Sequence, residues 1–93
     1  MIRSFRDKHT ESVWNERLTK RFPPSIQRNA FKRLMHLNAA RTLQDLRIPP
    51  GNKLHALRKD REGQHSVSIN DQWRVCFRWA DGDAWDVEIA DYH

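Results

Sequence analysis

The chain has 93 residues, a formal net charge of +5 and a single cysteine, Cys76. This length predicts one domain, residues 1–93, with one hydrophobic core of modest size. A lone cysteine excludes an intramolecular disulfide and a zinc site built on several thiolates, so we expect a protein of the reducing cytoplasm. The charged N-terminal residues are not typical of a signal peptide, and no apolar stretch approaches a membrane span, so we expect no membrane association.

The positive charge is concentrated in the first half of the chain. Residues 1–47 contain eleven Lys and Arg against four Asp and Glu, whereas residues 48–93 contain six against eight. A basic region of this kind is the electrostatic signature of a protein that binds nucleic acid or an acidic protein. Charge alone leaves open the alternative that these residues form an ordinary solvated surface.

The first half of the chain is predicted to form a short strand and two helices. Weak alternation in MIRSF indicates the strand. A first helix is predicted from Thr10, as its N-cap, to about Arg21, with Leu18 on its apolar face. The two prolines that follow end it, and a second helix begins near Pro24 or Ser25. The apolar stripe of this second helix consists of Ile26, Ala30, Leu34 and Leu37.

Basic side chains occupy the polar positions of both predicted helices. They are either solvated or follow a nucleic-acid backbone, and the sequence leaves both interpretations open. The residues are Arg17, Lys20, Arg21, Arg28, Lys32 and Arg33. After the second helix, Thr42 and Asp45 are typical of a short capped turn, and IPPGN is predicted to be a loop.

From Lys53 onward, the spacing of apolar residues changes from a helical period to alternation. This pattern predicts strands at KLHAL, HSVSI, WRVCFRW and AWDVEI. The dipeptides Asn70-Asp71 and Asp81-Gly82 are typical of tight turns, so the strands are expected to form an antiparallel meander. The predicted fold class is α+β, with two N-terminal helices packed on one face of a curved, mainly antiparallel sheet.

Alternation in the last two strands predicts which side chains share a face. The large apolar residues of WRVCFRW are expected against the helices, which places Arg74 on the opposite face. In the last strand, Trp85, Val87 and Ile89 are expected to point inward. The Asp-Gly hairpin makes the last two strands antiparallel, so the end of the last strand lies beside the start of the strand before it. We therefore expect Arg74 to lie beside the terminal residues 91–93.

These residues and a nearby basic group predict a cleft for an anionic substrate. The basic group consists of Lys53, His55, Arg58, Lys59 and Arg61. Cations that hold phosphate, imidazoles that move protons and a ring that stacks on a base suit cleavage of RNA through its own 2′-hydroxyl, without a metal or other cofactor. A nucleic-acid binder without catalysis and a protein adaptor with a basic face remain alternatives at this point.

Several motifs taken together resemble one family over nearly the whole chain. The opening MIRSF, the stretch KLHALRKDREGQHSVSINDQWRVCFRW and the ending DGDAWDVEIADYH are similar to HigB-type toxins of bacterial type II toxin–antitoxin systems, within the RelE superfamily. The resemblance implies a RelE-like fold and an mRNA endonuclease that cuts translated message in the ribosomal A site. It also implies neutralisation by a HigA-type antitoxin with a helix-turn-helix, in a complex that binds operator DNA.

The resemblance also implies which residues carry the activity. By their place in the motifs, the expected catalytic residues are Arg58, Arg74, Asp91, Tyr92 and His93, with His55 as a further candidate. Close relatives have Lys where this chain has Arg58. Since arginine holds phosphate but does not release its proton, we expect Arg58 and Lys59 to stabilise charge. His93 is expected to transfer protons, Asp91 to orient it or act as a base, and Tyr92 to stack on a base of the message.

Overall fold

In the computed structural model, which describes residues 1–91, two helices pack on one face of a four-stranded antiparallel sheet. The strands neighbour each other in chain order, so the predicted α+β class and the meander are confirmed. Tyr92 and His93 lie outside the described residues. The elements are α1 (Lys8–Trp14), α2 (Pro24–Ala39), β1 (His55–Ala56), β2 (Gln64–Ser68), β3 (Trp73–Ala80) and β4 (Asp83–Asp91).

The N-terminal segment pairs with β4, but through two isolated parallel bridges rather than the predicted strand. Ile2 pairs with Ala84, and Phe5 pairs with Val87. Four backbone hydrogen bonds of 2.8 to 3.0 Å accompany these bridges. β4 is the last strand of the sheet, and an exposed edge strand is a template for unwanted pairing. The segment therefore covers the first part of that edge.

The first helix begins and ends earlier than predicted. Asp7, not Thr10, is its N-cap, and the Asp7 carboxylate accepts a hydrogen bond of 2.7 Å from the Thr10 backbone N–H. The buried Thr10 hydroxyl donates to Asp7 and accepts from the backbone N–H of Ile89, each at 3.0 Å. Thr10 thus ties α1 to β4. Because the helix ends at Trp14, Leu18 is 89% exposed in the following loop and is not part of an apolar helix face.

The second helix agrees with the prediction. It begins at Pro24. Proline lacks a backbone N–H, and this is tolerated in the first turn because N–H groups there have no partner within the helix. All four residues of its predicted apolar stripe are buried. Together with Val67, Val75, Phe77 and Val87 they form the core between α2 and the sheet. No helix within residues 1–91 is long and apolar enough to cross a membrane.

A capped turn connects α2 to the sheet, as predicted. Thr42 and Asp45 form a capping box that starts a 3-10 turn. Hydrogen bonds from the backbone N–H groups of Arg41 and Thr42 hold the pKa of the Asp45 carboxyl below its usual range. The IPPGN segment then ends in a second 3-10 turn, Pro50–Asn52, in which the buried Asn52 donates to the backbone oxygen of Leu46 at 3.2 Å.

The two strand connections differ in how well they match the prediction. Asp81 and Gly82 form the expected two-residue hairpin, with φ of 55° and 77°. The connection between β2 and β3 is longer than the predicted tight turn, because it includes Ile69 and Gln72. The Asn70 side chain stabilises it by accepting hydrogen bonds from the backbone N–H groups of Gln72 and Trp73, at 2.8 and 2.7 Å.

A bulge in β4 reverses the direction of one large side chain. The register between β3 and β4 shifts by one residue, and the non-glycine Asp86 adopts a left-handed φ of 53° at this point. Between the hairpin and the bulge, Ala84 is buried and Trp85 points away from the core, 38% exposed. The prediction that Trp85 points inward is therefore wrong, whereas Val87 and Ile89 are buried as predicted.

Asp83 anchors the N-terminal segment to β4. Its carboxylate accepts a hydrogen bond of 3.0 Å from Arg3 Nε and lies 3.2 Å from the amino group of Met1. The hydrogen bond from Arg3, followed by that from the amino group, holds the pKa of Asp83 below its usual range. Ionised Asp83 therefore stabilises the folded chain above the ordinary aspartate value of about 3.9, and this contribution is lost as the pH falls through the lower folded-state pKa.

For Asp83→Asn we expect a lower free energy of unfolding at neutral pH and a smaller decrease between about pH 5 and pH 2 than in the wild type. Urea denaturation across this range measures both effects. Asp71→Asn, which changes an exposed carboxylate in the β2–β3 connection, is the control. If both variants showed the wild-type pH dependence, the anchoring role of Asp83 would be contradicted.

Candidate nucleic-acid interface

A row of paired residues crosses the outer face of the sheet, defined as the face turned away from the helices. His55 on β1 pairs with Ser66 on β2, Ser66 pairs with Cys76 on β3, and Cys76 pairs with Glu88 on β4. Paired residues point to the same side, and Cys76 alternates with Val75 of the core. An imidazole, a hydroxyl, a thiol and a carboxylate therefore lie side by side on this face.

Arg74 is fixed on the outer face next to this row. Its Nε donates to the Ser66 hydroxyl, and its Nη2 donates to the backbone oxygen of Lys53, each at 2.7 Å. A guanidinium has five donors in one plane, so these two bonds orient it without using its full capacity. The predicted direction of Arg74, away from the helices, is confirmed. A cation held in this way can receive a phosphate without first losing rotational freedom.

Arg61 crosses β3 on the outer face beside Cys76. Its Nη2 lies 2.6 Å from Oε1 of Glu88 on β4, and its Nη1 donates to Gln64 on β2 at 3.3 Å. Arg6 approaches the other oxygen of Glu88, at 3.3 Å. Cys76 is fully buried under this cluster, and burial raises the pKa of its thiol. Glu88 thus holds two guanidinium groups near Arg74, and the cysteine remains a thiol.

Asp91 lies at the same end of the hairpin as Arg74 but on the other face. It pairs with Trp73, whereas Arg74 pairs with Ala90. Because neighbouring residues of a strand point to opposite sides, the two side chains diverge. The exposed Asp91 carboxylate accepts a hydrogen bond of 3.0 Å from Gln72 Nε2. The structure therefore brings the two backbones together and not the two side chains, while the expectations for Tyr92 and His93 lie outside the described residues.

A cleft of about 730 Å³ connects the two faces around the end of β4. Glu88 and Ala90 line it from the outer face, and Ile89 and Asp91 line it from the helix side. Trp73 forms part of its wall and packs edge-on against Phe22, with ring centroids 5.7 Å apart. The guanidinium groups in its lining belong to Arg6, Arg21 and Arg61, and His9 adds an imidazole. The cleft thus offers cations and an aromatic ring along a path from one face to the other.

The other predicted RNA-binding residues are spread over both sides of the molecule. Around β1, the exposed residues are Lys53, His55, Arg58 and Lys59. On the helical side, Arg28 and Lys32 are exposed on α2, whereas Arg17, Lys20 and Arg21 lie in the loop after α1 and not on a helix.

Arg33 is half-buried, and its Nε donates to the backbone oxygen of Ser68 at 2.8 Å. This bond ties α2 to β2, so Arg33 is not simply solvated on the polar face of the helix, and its expected contact with RNA stays a prediction.

Sequence reasoning misses Arg6 and Glu88. The outward direction of Glu88 is readable, because it stands between Val87 and Ile89, but its pairing with Cys76 depends on the bulge. Arg6 reaches Glu88 only through the pairing of the N-terminal segment with β4, for which no local sequence signal exists. Within residues 1–91, no three His, Cys, Asp or Glu side chains are grouped so that they could hold a metal ion.

Comparison with known proteins identifies close relatives. A model of the family described as RelE-like toxin of type II toxin-antitoxin system HigB matches residues 3–93. Toxin HigB-1 of Vibrio cholerae serotype O1 is 40% identical over 83 residues, which are 88% of this chain and 87% of that protein. Endoribonuclease HigB of Proteus vulgaris is 31% identical over 93 residues, and the match covers 100% of both chains.

The Glu88 cluster makes a prediction about stability. Glu88→Gln removes the negative charge that pairs with Arg61 and Arg6, and the Glu88 side chain is only 14% exposed. We expect the free energy of unfolding at neutral pH to fall by about 1–2 kcal/mol, between the values typical of exposed and of buried pairs.

The matched control for Glu88→Gln is Asp86→Asn. Asp86 pairs with Arg78 at 3.6 Å and is 49% exposed, so its loss should change the unfolding free energy by less than about 0.5 kcal/mol. Chemical denaturation measures both variants. Equal decreases in unfolding free energy would show that the Glu88 cluster stabilises the fold no more than an exposed ion pair does.

Proposed function

Because the chain belongs to the HigB family of RelE-like toxins of type II toxin–antitoxin systems, we propose that it is an endoribonuclease that inhibits growth by cutting mRNA. The relative from Proteus vulgaris is named as an endoribonuclease. The observation that best supports the same activity here is the fixation of Arg74 by Ser66 and the Lys53 backbone. These two bonds provide an oriented cation on an exposed sheet face. Such a cation can stabilise the negative charge that develops on a phosphodiester during cleavage.

The proposed reaction uses the ribose itself as the nucleophile. The 2′-oxygen forms a bond to the neighbouring phosphorus, and the bond from phosphorus to the 5′-oxygen breaks. A base takes the proton of the 2′-hydroxyl, an acid gives a proton to the leaving 5′-oxygen, and the product retains a 2′,3′-cyclic phosphate. Arg74 would stabilise the negative charge that develops on the phosphoryl oxygens. The reaction needs no metal, and it distinguishes RNA from DNA because DNA lacks the nucleophile.

Several residues are available for proton transfer and for holding the message. His55 is exposed and pairs with Ser66, the partner of Arg74, so it is one proposed acid or base. His93 is the other, with Asp91 orienting it or acting as a base. We propose that Tyr92 stacks on a base of the message. Arg58 and Lys59, both exposed beside β1, would add positive charge along the message, together with Lys53 and Arg61.

We propose that cleavage takes place on translated message in the ribosomal A site. The proposed bases are weak, so the rate depends on the substrate being held in line for attack, and such positioning can supply several kcal/mol. The distribution of charge fits this arrangement, since the outer face can hold message while Arg28 and Lys32 of α2 are exposed on the opposite side. These two residues, with Arg17, Lys20 and Arg21, would contact ribosomal RNA.

The proposed partner is a HigA-type antitoxin with a helix-turn-helix. Membership of a type II system implies a protein antitoxin, and the net charge of +5 favours an acidic partner surface. We propose that the complex also binds operator DNA through the antitoxin. The alternative function, an RNA-binding or antitoxin-binding module without catalysis, predicts RNA binding without cleavage and is tested by the same variants.

Arg74→Ala should abolish growth inhibition on induced expression and lower the rate of mRNA cleavage by about 100- to 1,000-fold, the usual cost of losing one donor to the transition state. Arg74→Lys keeps the charge but not the two oriented bonds, so we expect an intermediate rate. Thermal unfolding verifies that each variant folds. Arg47→Ala is the control, because Arg47 is exposed and its side chain bonds to Gln44. Wild-type toxicity of folded Arg74→Ala would contradict the proposed site.

Ribosome dependence makes a separate prediction. Purified protein should cleave message in a programmed ribosome at least about 100-fold faster than the same RNA free in solution, because the ribosome supplies the positioning. Primer extension on both substrates measures the two rates. Equal rates would contradict the ribosomal part of the proposal and leave the endoribonuclease activity standing.

A further inference from the structure

Trp85 presents a large aromatic surface on the outer face, near the hairpin that joins β3 to β4. Its side chain is directed outward by the bulge at Asp86, and it pairs with Arg78. The indole Nε1 donates to the backbone oxygen of Ala80 at 3.3 Å, which fixes the orientation of the ring. Without the bulge, alternation would turn this ring toward the helices, where it could be buried. The fold thus places a partly exposed tryptophan on the outer face and fixes its orientation.

The bulge itself is firmly held. The backbone N–H of Asp86 donates to the Ser4 hydroxyl at 2.8 Å, and Val87 pairs with the N-terminal segment. A left-handed φ is uncommon for a residue other than glycine, so the surrounding contacts maintain it. Bulges are frequent next to functional sites, where they re-aim a side chain. In this chain, the side chain re-aimed toward solvent is Trp85.

Three arginines follow the outer face of β3 toward Trp85. Arg74 and Arg78 are four residues apart on this strand, which corresponds to about 13 Å. Arg61 crosses the strand between them, from Gln64 to Glu88. The row therefore starts at the proposed cleavage site and ends beside the indole.

We propose that Trp85 and Arg78 form a base-stacking subsite for single-stranded RNA that continues the path from Arg74. A nucleobase stacks on the indole, and Arg78 binds the adjoining phosphate. Every base has a flat aromatic face, so such a platform accepts different sequences. The proposal rests on the proposed function and adds to it a residue pair outside the cleavage site.

The charged residues of the subsite are one arginine and two aspartates, Arg78, Asp81 and Asp86, and all three are exposed to solvent. Arg78, Asp81, Trp85 and Asp86 line a shallow hollow of about 230 Å³ together with Ala80. The Asp86 carboxylate lies 3.6 Å from Arg78 Nη1, and the two side chains are 49% and 61% exposed. An ion pair this open to water is weak, so it orients Arg78 without preventing contact with a phosphate.

The test measures RNA binding separately from cleavage. The probe is a fluorescent single-stranded 2′-O-methyl oligoribonucleotide, which cannot be cut by attack of its own 2′-oxygen. Trp85→Ala should weaken binding by about 5- to 150-fold, the fold-change that corresponds to loss of one stacked base. Trp85→Phe keeps an aromatic ring and should retain most of the affinity. Leu18→Ala changes a more exposed apolar residue in the loop after α1 and should have no effect.

Arg78→Gln tests the phosphate contact. We expect weaker binding and a decrease of about 0.7 in the slope of log affinity against log salt concentration, the value for one phosphate on a single strand. Trp85→Ala should leave this slope unchanged, because stacking releases no counterion.

The stacked base could belong to the message or to ribosomal RNA, and a second probe distinguishes them. Loss of oligonucleotide binding in Trp85→Ala supports contact with message, whereas loss confined to binding of ribosomes without message supports contact with ribosomal RNA. Wild-type affinity of Trp85→Ala for both probes, or binding of neither probe by the wild type, would overturn the subsite. Because the oligonucleotide is uncleavable, these results do not depend on whether the protein cuts RNA. Conversely, cleavage by the wild type with unchanged binding by Trp85→Ala would overturn only the subsite.

Discussion

The pairing of the N-terminal segment with β4 is the interaction on which the rest of the structure depends. β4 is one of the two edge strands of the sheet, and it carries Trp85, Glu88 and Asp91. The segment covers the first part of the edge of this strand, holds its bulge through Ser4 and places Arg6 next to Glu88. It then continues directly into α1, where Thr10 binds the backbone of Ile89. The same segment therefore protects part of the sheet edge and positions residues of the basic outer face.

The fold could be predicted where its signals are local. The stripe of α2 and the Asp81-Gly82 hairpin each follow from a few neighbouring residues, and both are confirmed. The end of α1 and the direction of Trp85 could not be predicted, for a shared physical reason. The chain adopts a left-handed φ at Glu16 (59°) and at Asp86 (53°), and neither residue is a glycine that would announce it. At Asp86 the conformation is held by Ser4, 82 residues away along the chain, and at Glu16 it accompanies the hydrogen bonds that close the end of α1, from the backbone N–H groups of Glu16 and Arg17. In neither place does the residue type reveal it.

The candidate site divides in a similar way. Alternation alone places Arg74 on the face away from the helices, but its partners lie 8 and 21 residues away along the chain. Arg33 shows the opposite case, because a cation on the polar side of a helix can reach a backbone carbonyl of the sheet as well as water. The expected roles of Asp91, Tyr92 and His93 depend on the family resemblance, which carries information that periodicity does not, and they stay predictions. The structure adds Glu88 and Arg6 to the outer face, and neither the alternation pattern nor the family resemblance indicates them.

The burial of Cys76 has a practical consequence for following this protein on its target. The chain's single thiol is fully buried beneath the Arg61–Glu88 pair, so maleimide dyes reach it only when the sheet opens. A new cysteine at an exposed position such as Glu62 would therefore accept a fluorophore alone, with the native residue left in place. Distances from such a dye to a labelled ribosome or oligonucleotide could then orient the outer face directly, without a cysteine-free background.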